Sequence, residues 1–124
     1  MKKILLSVAT FITSTLVLAG SVKDVSPQQA AEMQRQSSLI VDVRENDEWN
    51  AGHIAGAIHI PLSEISNRLN ELEKYKNAPV IMQCRSGVRS AKAANLLAKS
   101  GFMQIYNMEG GLNAWQDANL KIQK

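Results

Sequence analysis

The stretch Cys84-Arg85-Ser86-Gly87-Val88-Arg89-Ser90 contains the only cysteine of the chain, together with two arginines, two serines and a glycine. A thiol acts as a nucleophile in its thiolate form, and nearby cations or a helix N-terminus lower its pKa. Arg85 and Arg89 supply the cations, and a helix opening at Ser90 supplies unpaired N–H groups. Gly87 permits backbone angles closed to other residues, so successive amides can turn inward as a nest for an anion. The stretch therefore reads as an anion cradle with Cys84 as nucleophile and Arg85, Ser86, Gly87, Val88, Arg89 and Ser90 as its walls. Arg89 reads as an anion ligand ahead of a structural bond to an acid. Arg85 is balanced between anion ligand and solvent, and the plain reading of Ser90 is helix N-cap.

The residues around the thiol bear on which oxyanion it would meet. Cleaving a phosphate ester calls for a general acid within reach of the leaving alkoxide. Gln83 rather than a histidine precedes the cysteine, and the loop holds no acid. Sulfite leaves thiosulfate as a stable anion without a proton, so the loop leans toward sulfur transfer.

Holding such a loop requires a strand before it and a helix after it. Pro79-Val80-Ile81-Met82 is an apolar run of strand length, and Ala91 to Leu97 is rich in helix formers, with Gly101 placed to end the helix. Leu39-Ile40-Val41-Asp42-Val43 is a continuous β-branched run, the mark of a strand buried on both faces, with Asp42 near its carboxyl end. Ser26-Pro27-Gln28-Gln29 predicts a helix start with a capping box, after a short edge strand over 22–25. Glu45 to Asn50 predicts a short helix stopped by Gly52, followed by a short strand closed by Pro61. Ile65, Leu69 and Leu72 at i, i+4 and i+7 predict an amphipathic helix. A strand over 102–107, a Gly110-Gly111 turn and a helix over 112–118 complete the chain. Strands alternating with helices mean an α/β fold with a mostly parallel sheet of about five strands, whose ligands bind beyond the carboxyl ends of the strands. Trp49 and Trp115 are expected in the core, and His53 and His59 as packing and turn residues.

Composition adds a compartment. Met1-Lys2-Lys3, the apolar stretch from Ile4 to Leu18 and the small residues Ala19-Gly20-Ser21 have the form of a secretory signal peptide over 1–19, cleaved after Ala19. Its apolar stretch is short for a membrane span. Leu18-Ala19-Gly20-Ser21 lacks the cysteine that a lipoprotein box would acylate, so an exported protein without a stable membrane anchor is expected, most simply in a bacterial periplasm. Lys2 and Lys3 account for two of the 14 basic residues set against 11 acidic ones, so the mature domain is near neutrality and no basic run suggests nucleic acid. A lone exported cysteine has no partner in its own chain, which leaves it free, reactive or bridging two chains. With no GxGxxG, GKS, GKT, HExxH or CxxC motif, neither a metal nor a cofactor is expected.

Three segments together resemble the single-domain rhodaneses, and with the export signal the small periplasmic rhodaneses of the phage-shock kind. They are Asp42-Val43-Arg44-Glu45 with Glu48-Trp49 and Gly52 to Pro61, then Cys84 to Ser90, then Gly110-Gly111-Leu112-Asn113-Ala114-Trp115. Each is weak alone, and their order is specific. The resemblance implies a rhodanese-like three-layer domain over 22–123 and a thiosulfate sulfurtransferase. In that reading Cys84 takes the outer sulfur of thiosulfate as a persulfide and passes it to a thiophilic acceptor, cyanide in the laboratory or a protein. Asp42 and Arg44, in the first signature, are implied as supports of the loop rather than as catalysts. The six positions from Cys84 to Arg89 match the sulfurtransferases, whereas phosphatases and arsenate reductases on this fold have a loop one residue longer. A persulfide carrier that uses thiosulfate poorly is the alternative, and a phosphatase or arsenate reductase a weaker one.

Overall fold

The computed structural model describes residues 20–124. The leader expected over 1–19 lies outside the described residues. Five strands, β1 (Val22–Val25), β2 (Leu39–Asp42), β3 (Ile58–His59), β4 (Pro79–Gln83) and β5 (Gln104–Met108), form one sheet in the order β1-β5-β4-β2-β3. Every pairing is parallel. The central strands carry long apolar runs because helices cover both faces and no side of the sheet meets water.

Successive side chains on a strand point to opposite faces, and the core divides accordingly. Leu39, Val41, Val80, Met82 and Ile105 face Ala93, Ala94 and Leu97 of helix α3 (Val88–Lys99). Ile40, Ile81 and Met108 face Ala30 and Ala31 of helix α1 (Pro27–Arg35) and Leu112 and Trp115 of helix α4 (Gly111–Asp117). The capping box expected at Ser26 is present: Gln29 N–H donates to the Ser26 hydroxyl at 3.1 Å, and Ser26 N–H donates to the Gln29 side chain at 2.8 Å. Between β2 and β3 lies the short helix α2 (Asn46–Ala51).

Two expectations need correction. The helix predicted through Ile65, Leu69 and Leu72 is instead two 3₁₀ turns, Leu62–Glu64 and Leu69–Tyr75. Ser66 and Asn67 lie between them, and their short polar side chains compete for the backbone and weaken a continuous helix. Ile65 and Leu72 are nevertheless fully buried, so the spacing reported burial rather than helix type. Trp115 lies in the core as expected, but Trp49 is only half-buried. Its indole stacks on the imidazoles of His53 and His59, with centroids 3.5 and 4.8 Å away. Both histidines are fixed by backbone: His53 Nδ1–H donates to Trp49 O at 2.9 Å and His59 Nε2–H to Arg44 O at 2.7 Å. Gln123 Nε2 donates to His53 Nε2 at 3.2 Å, in keeping with a proton on Nδ1. The stack joins α2 to β3 and gives the two rings a packing role.

Among the described residues no helix is long and apolar enough to cross a membrane.

Candidate active site

The register of the sheet brings the carboxyl ends of three strands together. Asp42 pairs with Gln83, and Met82 with Asn107. The chain leaves β4 at Cys84, whose side chain is 1% exposed and belongs to the core cluster beneath α3. Gly87 caps α3 in the left-handed region at φ 105°, which an L side chain adopts only with strain. That turn aims the Gly87 amide back at Cys84 Sγ, 3.1 Å away. Ser90, expected as the N-cap, lies inside the first turn of α3 because Gly87 takes the cap position with its backbone alone. The Ser90 side chain is fully buried and its Oγ lies 3.3 Å from Cys84 Sγ.

The balance at the thiol is legible. Burial pushes the Cys84 thiol up, and it is outweighed by the Ser90 hydroxyl and by the amides of Ser90, Gly87 and Ser86, so the net shift is downward. The Ser90 hydroxyl has one proton and two acceptors in reach, since it also donates to Asn107 Oδ1 at 2.6 Å. Asn107 is held by donating Nδ2–H to Gly87 O at 3.2 Å, which leaves Oδ1 facing Ser90. Stabilising the thiolate through Ser90 therefore requires the hydroxyl to turn from Asn107 to sulfur, whereas the amides need no such change. For Ser90→Ala the acid limb of the pH profile for Cys84 alkylation should move to higher pH, because a donor to the thiolate is lost and the amides remain. An unmoved limb would show that the amides act alone.

The two arginines do not point at the sulfur. Arg89 grips Glu48 with both terminal nitrogens, Nη1 to Oε1 at 2.7 Å and Nη2 to Oε2 at 3.0 Å. Arg85 Nε lies 3.5 Å from Glu48 Oε2, and its side chain is 64% exposed. Val88 is 65% exposed at the start of α3 and offers the site backbone only. The bidentate bond from Arg89 holds the Glu48 carboxyl down at about 2, and the charge of Arg44 adds to it. At neutral pH Glu48 is therefore an ion with no proton to give.

A carboxylate lowered on folding contributes stability that is complete above its unfolded value and is lost as pH falls through its folded one. For Glu48 that window runs from 4.5 down to about 2. Glu48→Gln should cost about 1–3 kcal/mol at pH 7, in the range of hydrogen bonds to charged groups, and should flatten the loss of stability across that window. Urea unfolding at pH 7 and pH 3 reads both effects.

Asp42 and Arg44 form the buried base of the site. Asp42 is fully buried and Arg44 is 5% exposed. Arg44 donates its own backbone N–H and Nε to Asp42 Oδ1 at 2.9 and 3.0 Å, and Nη2 to Oδ2 at 2.8 Å. Nη2 also donates to Gly52 O at 2.7 Å, tying β2 to the end of α2, the helix that carries Glu48. The floor of the loop is held from α4, where Leu112 N–H donates to Cys84 O at 2.8 Å and Asn113 N–H to Arg85 O at 3.0 Å. Gly111 must be glycine for this approach, because a Cβ there would lie 2.4 Å from the Arg85 carbonyl carbon.

Thus the structure gathers Cys84, Ser86, Gly87 and Ser90 around the sulfur, turns Arg85 and Arg89 to Glu48, and sets Asp42 and Arg44 behind them. Glu48 and Asn107 were not anticipated in these roles. Asn107 stood at the end of a predicted strand; Glu48 stood in the first of the three segments, but it lies 41 positions before Arg89 and nothing in the sequence tied the two together. The arrangement can hold a buried thiolate under inward-facing amides with no acid beside it.

Residues 26–118 match the family model described as Rhodanese-like domain. The thiosulfate sulfurtransferase GlpE of Haemophilus influenzae (strain 86-028NP) is 34% identical over 102 residues, covering 82% of this chain and 95% of its own. The putative sulfur carrier protein YrkF of Bacillus subtilis is 41% identical over 99 residues, covering 78% of this chain and 52% of its own. Among solved structures, a rhodanese-like domain protein from Staphylococcus aureus superposes with a TM-score of 0.71 at 35% identity, over 82% of this chain and 99% of that one.

Proposed function

The chain belongs to the rhodanese-like family, and on that premise we propose that it is a thiosulfate sulfurtransferase working through a persulfide on Cys84. The Cys84 thiolate attacks the outer sulfur of thiosulfate. A new S–S bond forms to Cys84, the S–S bond of thiosulfate breaks, and sulfite leaves with its electron pair. The resulting persulfide is held by the amides of Ser86, Gly87 and Ser90 until a thiophilic acceptor removes the outer sulfur. The observation that carries this reading is the place of Cys84 Sγ within the loop, 3.1 Å from the Gly87 N–H and 3.3 Å from the Ser90 hydroxyl.

The state of the carboxylates supports sulfur over phosphate. Glu48 is ionised and bound by Arg89, and Asp42 is bound by Arg44. Neither is placed to protonate an alkoxide, and sulfite needs no proton to leave. The GlpE relative, by name a thiosulfate sulfurtransferase, adds weight to the donor assignment.

We propose further that the chain is exported on its leader and cleaved after Ala19. One experiment addresses both points. The intact mass of the secreted protein fixes its N-terminus, and after thiosulfate treatment it should rise by one sulfur atom, with one sulfite released per chain and thiocyanate formed when cyanide is added. An unchanged mass with no sulfite would overturn the donor assignment.

A further inference from the structure

Cys84, Ser90 and Asn107 form a chain of three polar groups at the start of α3, all of them buried. Ser90 Oγ lies 3.3 Å from Cys84 Sγ and donates to Asn107 Oδ1 at 2.6 Å. Asn107 is held in β5 by pairing with Met82 on one side and Asp24 on the other. Its amide cannot be turned over without loss, because Nδ2–H donates to Gly87 O at 3.2 Å. The direction of the chain is therefore set from its far end. Asn107 presents an acceptor, Ser90 gives its one proton to it, and Ser90 Oγ shows the sulfur a lone pair.

This direction suits a sulfur that carries no negative charge. A Cys84 thiol donates S–H to Ser90 Oγ, so every group has a partner. The Sγ of a persulfide, with the charge on the outer sulfur, is a weak acceptor and asks little of Ser90. A thiolate reverses the demand. It accepts the Gly87 N–H at 3.1 Å, and it gains the Ser90 proton only if the hydroxyl turns about its Cβ–Oγ bond and leaves Asn107 Oδ1 without that donor. The cost of an unmade bond at a buried acceptor opposes the turn. No proton is transferred; one hydrogen bond is exchanged for another.

We propose that Asn107 is a positioning residue of the sulfur-transfer cycle, which by drawing the Ser90 hydroxyl to itself favours the forms of Cys84 with an uncharged Sγ, thiol and persulfide, over the thiolate. The inference rests on Cys84 as the persulfide site. When sulfite leaves, the charge moves from Sγ to the outer sulfur and the Ser90 hydroxyl returns to Asn107. When an acceptor removes the outer sulfur, Sγ regains the charge and the hydroxyl turns back. Asn107 thereby keeps the free thiolate basic, and a thiolate attacks more readily the more basic it is.

The test is a double-mutant cycle on the pH profile of Cys84 alkylation by iodoacetamide, run on the parent, Asn107→Ala, Ser90→Ala and the double variant. The nearby charges, Glu48 with Arg85 and Arg89 and the Asp42–Arg44 pair, are the same in all four proteins. Asn107→Ala should move the acid limb to lower pH, opposite to Ser90→Ala, because the freed hydroxyl turns to the sulfur. In the Ser90→Ala background that downward movement should vanish, since only the bond to Gly87 is then lost. Asn107→Val, which suits a strand, repeats the cycle with a larger side chain. A limb that responds to Asn107 alike with and without Ser90 would overturn the proposal and leave Asn107 a structural support of Gly87. The loaded enzyme gives a second readout. At a fixed ratio of thiosulfate to sulfite and above the acid limb, the ratio of persulfide to free Cys84 by intact mass should fall roughly three- to tenfold in Asn107→Ala, the scale of one net hydrogen bond. An unchanged ratio would overturn the part concerning the persulfide. A parent that gains no sulfur from thiosulfate or from inorganic polysulfide would overturn the sulfurtransferase reading, while the alkylation cycle still decides between Ser90 and Gly87 as the route by which Asn107 acts.

Discussion

Replacing Cys84 by serine is expected to reduce thiocyanate formation from thiosulfate and cyanide to background, a loss of at least about a thousandfold as for other enzymes deprived of their nucleophile. The reason is chemical rather than structural. A hydroxyl in this loop meets the same amide donors, but its proton is held far more tightly than that of a thiol, and oxygen does not carry a sulfane sulfur as a persulfide does. Cys84 is the chain's only cysteine, so no second thiol can substitute. The fold should tolerate the change. The serine oxygen is smaller than sulfur and meets the Gly87 N–H and the Ser90 hydroxyl at a position that is already polar on one side. The assay therefore has two readouts: thermal unfolding close to that of the parent, and no sulfur added to the intact mass after thiosulfate. Turnover surviving in a folded serine variant would show that sulfur is carried by some group other than Cys84.

What could be read in the sequence was mostly what is decided within a few residues. The Ser26 capping box, the glycine after α3 and the β-branched run of β2 are local patterns, and each formed the element it predicted. The thiol in its loop after a buried strand was legible for the same reason. Local reasoning failed where a distant partner decides. Arg89 was expected to face an anion, and it meets Glu48, an acid brought in by α2 from across the β2–β4 pairing. The sequence placed the lowering of the thiol on cations, a helix end and inward-turned amides; the structure places it on the amides of Ser86, Gly87 and Ser90, the last in the first turn of α3, and on the Ser90 hydroxyl, while both arginines turn to Glu48. Ser90 looked like a cap since serine caps helices, but a left-handed Gly87 caps by backbone and frees Ser90 to face the sulfur. Trp49 was expected in the core, yet it is half-buried, and two histidines stack on its indole.

Removing the Asp42 carboxylate is expected to cause the largest loss of stability of any single change at the site. Asp42→Ala leaves Arg44 ionised and 5% exposed, with Nε and the backbone N–H of residue 44 deprived of their acceptor and only the Gly52 carbonyl still bound. Breaking a buried pair from one side typically costs about 3–5 kcal/mol, since the remaining charge is neither solvated nor paired. That is a large part of the roughly 5–15 kcal/mol that holds a domain folded, and for a chain of this size it means a fall in the urea midpoint of roughly 2–4 M. Asp42→Asn should lose less, because an amide oxygen can still accept from Arg44. The double variant Asp42→Leu with Arg44→Met should recover much of the loss, because no uncompensated charge remains. Activity should follow a different order. Arg44 ties β2 to the end of α2 through Gly52, and α2 carries the Glu48 that holds Arg89. The double variant should therefore be stable yet slower in sulfur transfer, as α2 loses the anchor that sets Glu48 opposite the loop. Full activity in that stable variant would show that the pair serves the fold alone, and a stability equal to that of Asp42→Ala would show that the cost came from packing rather than from a stranded charge.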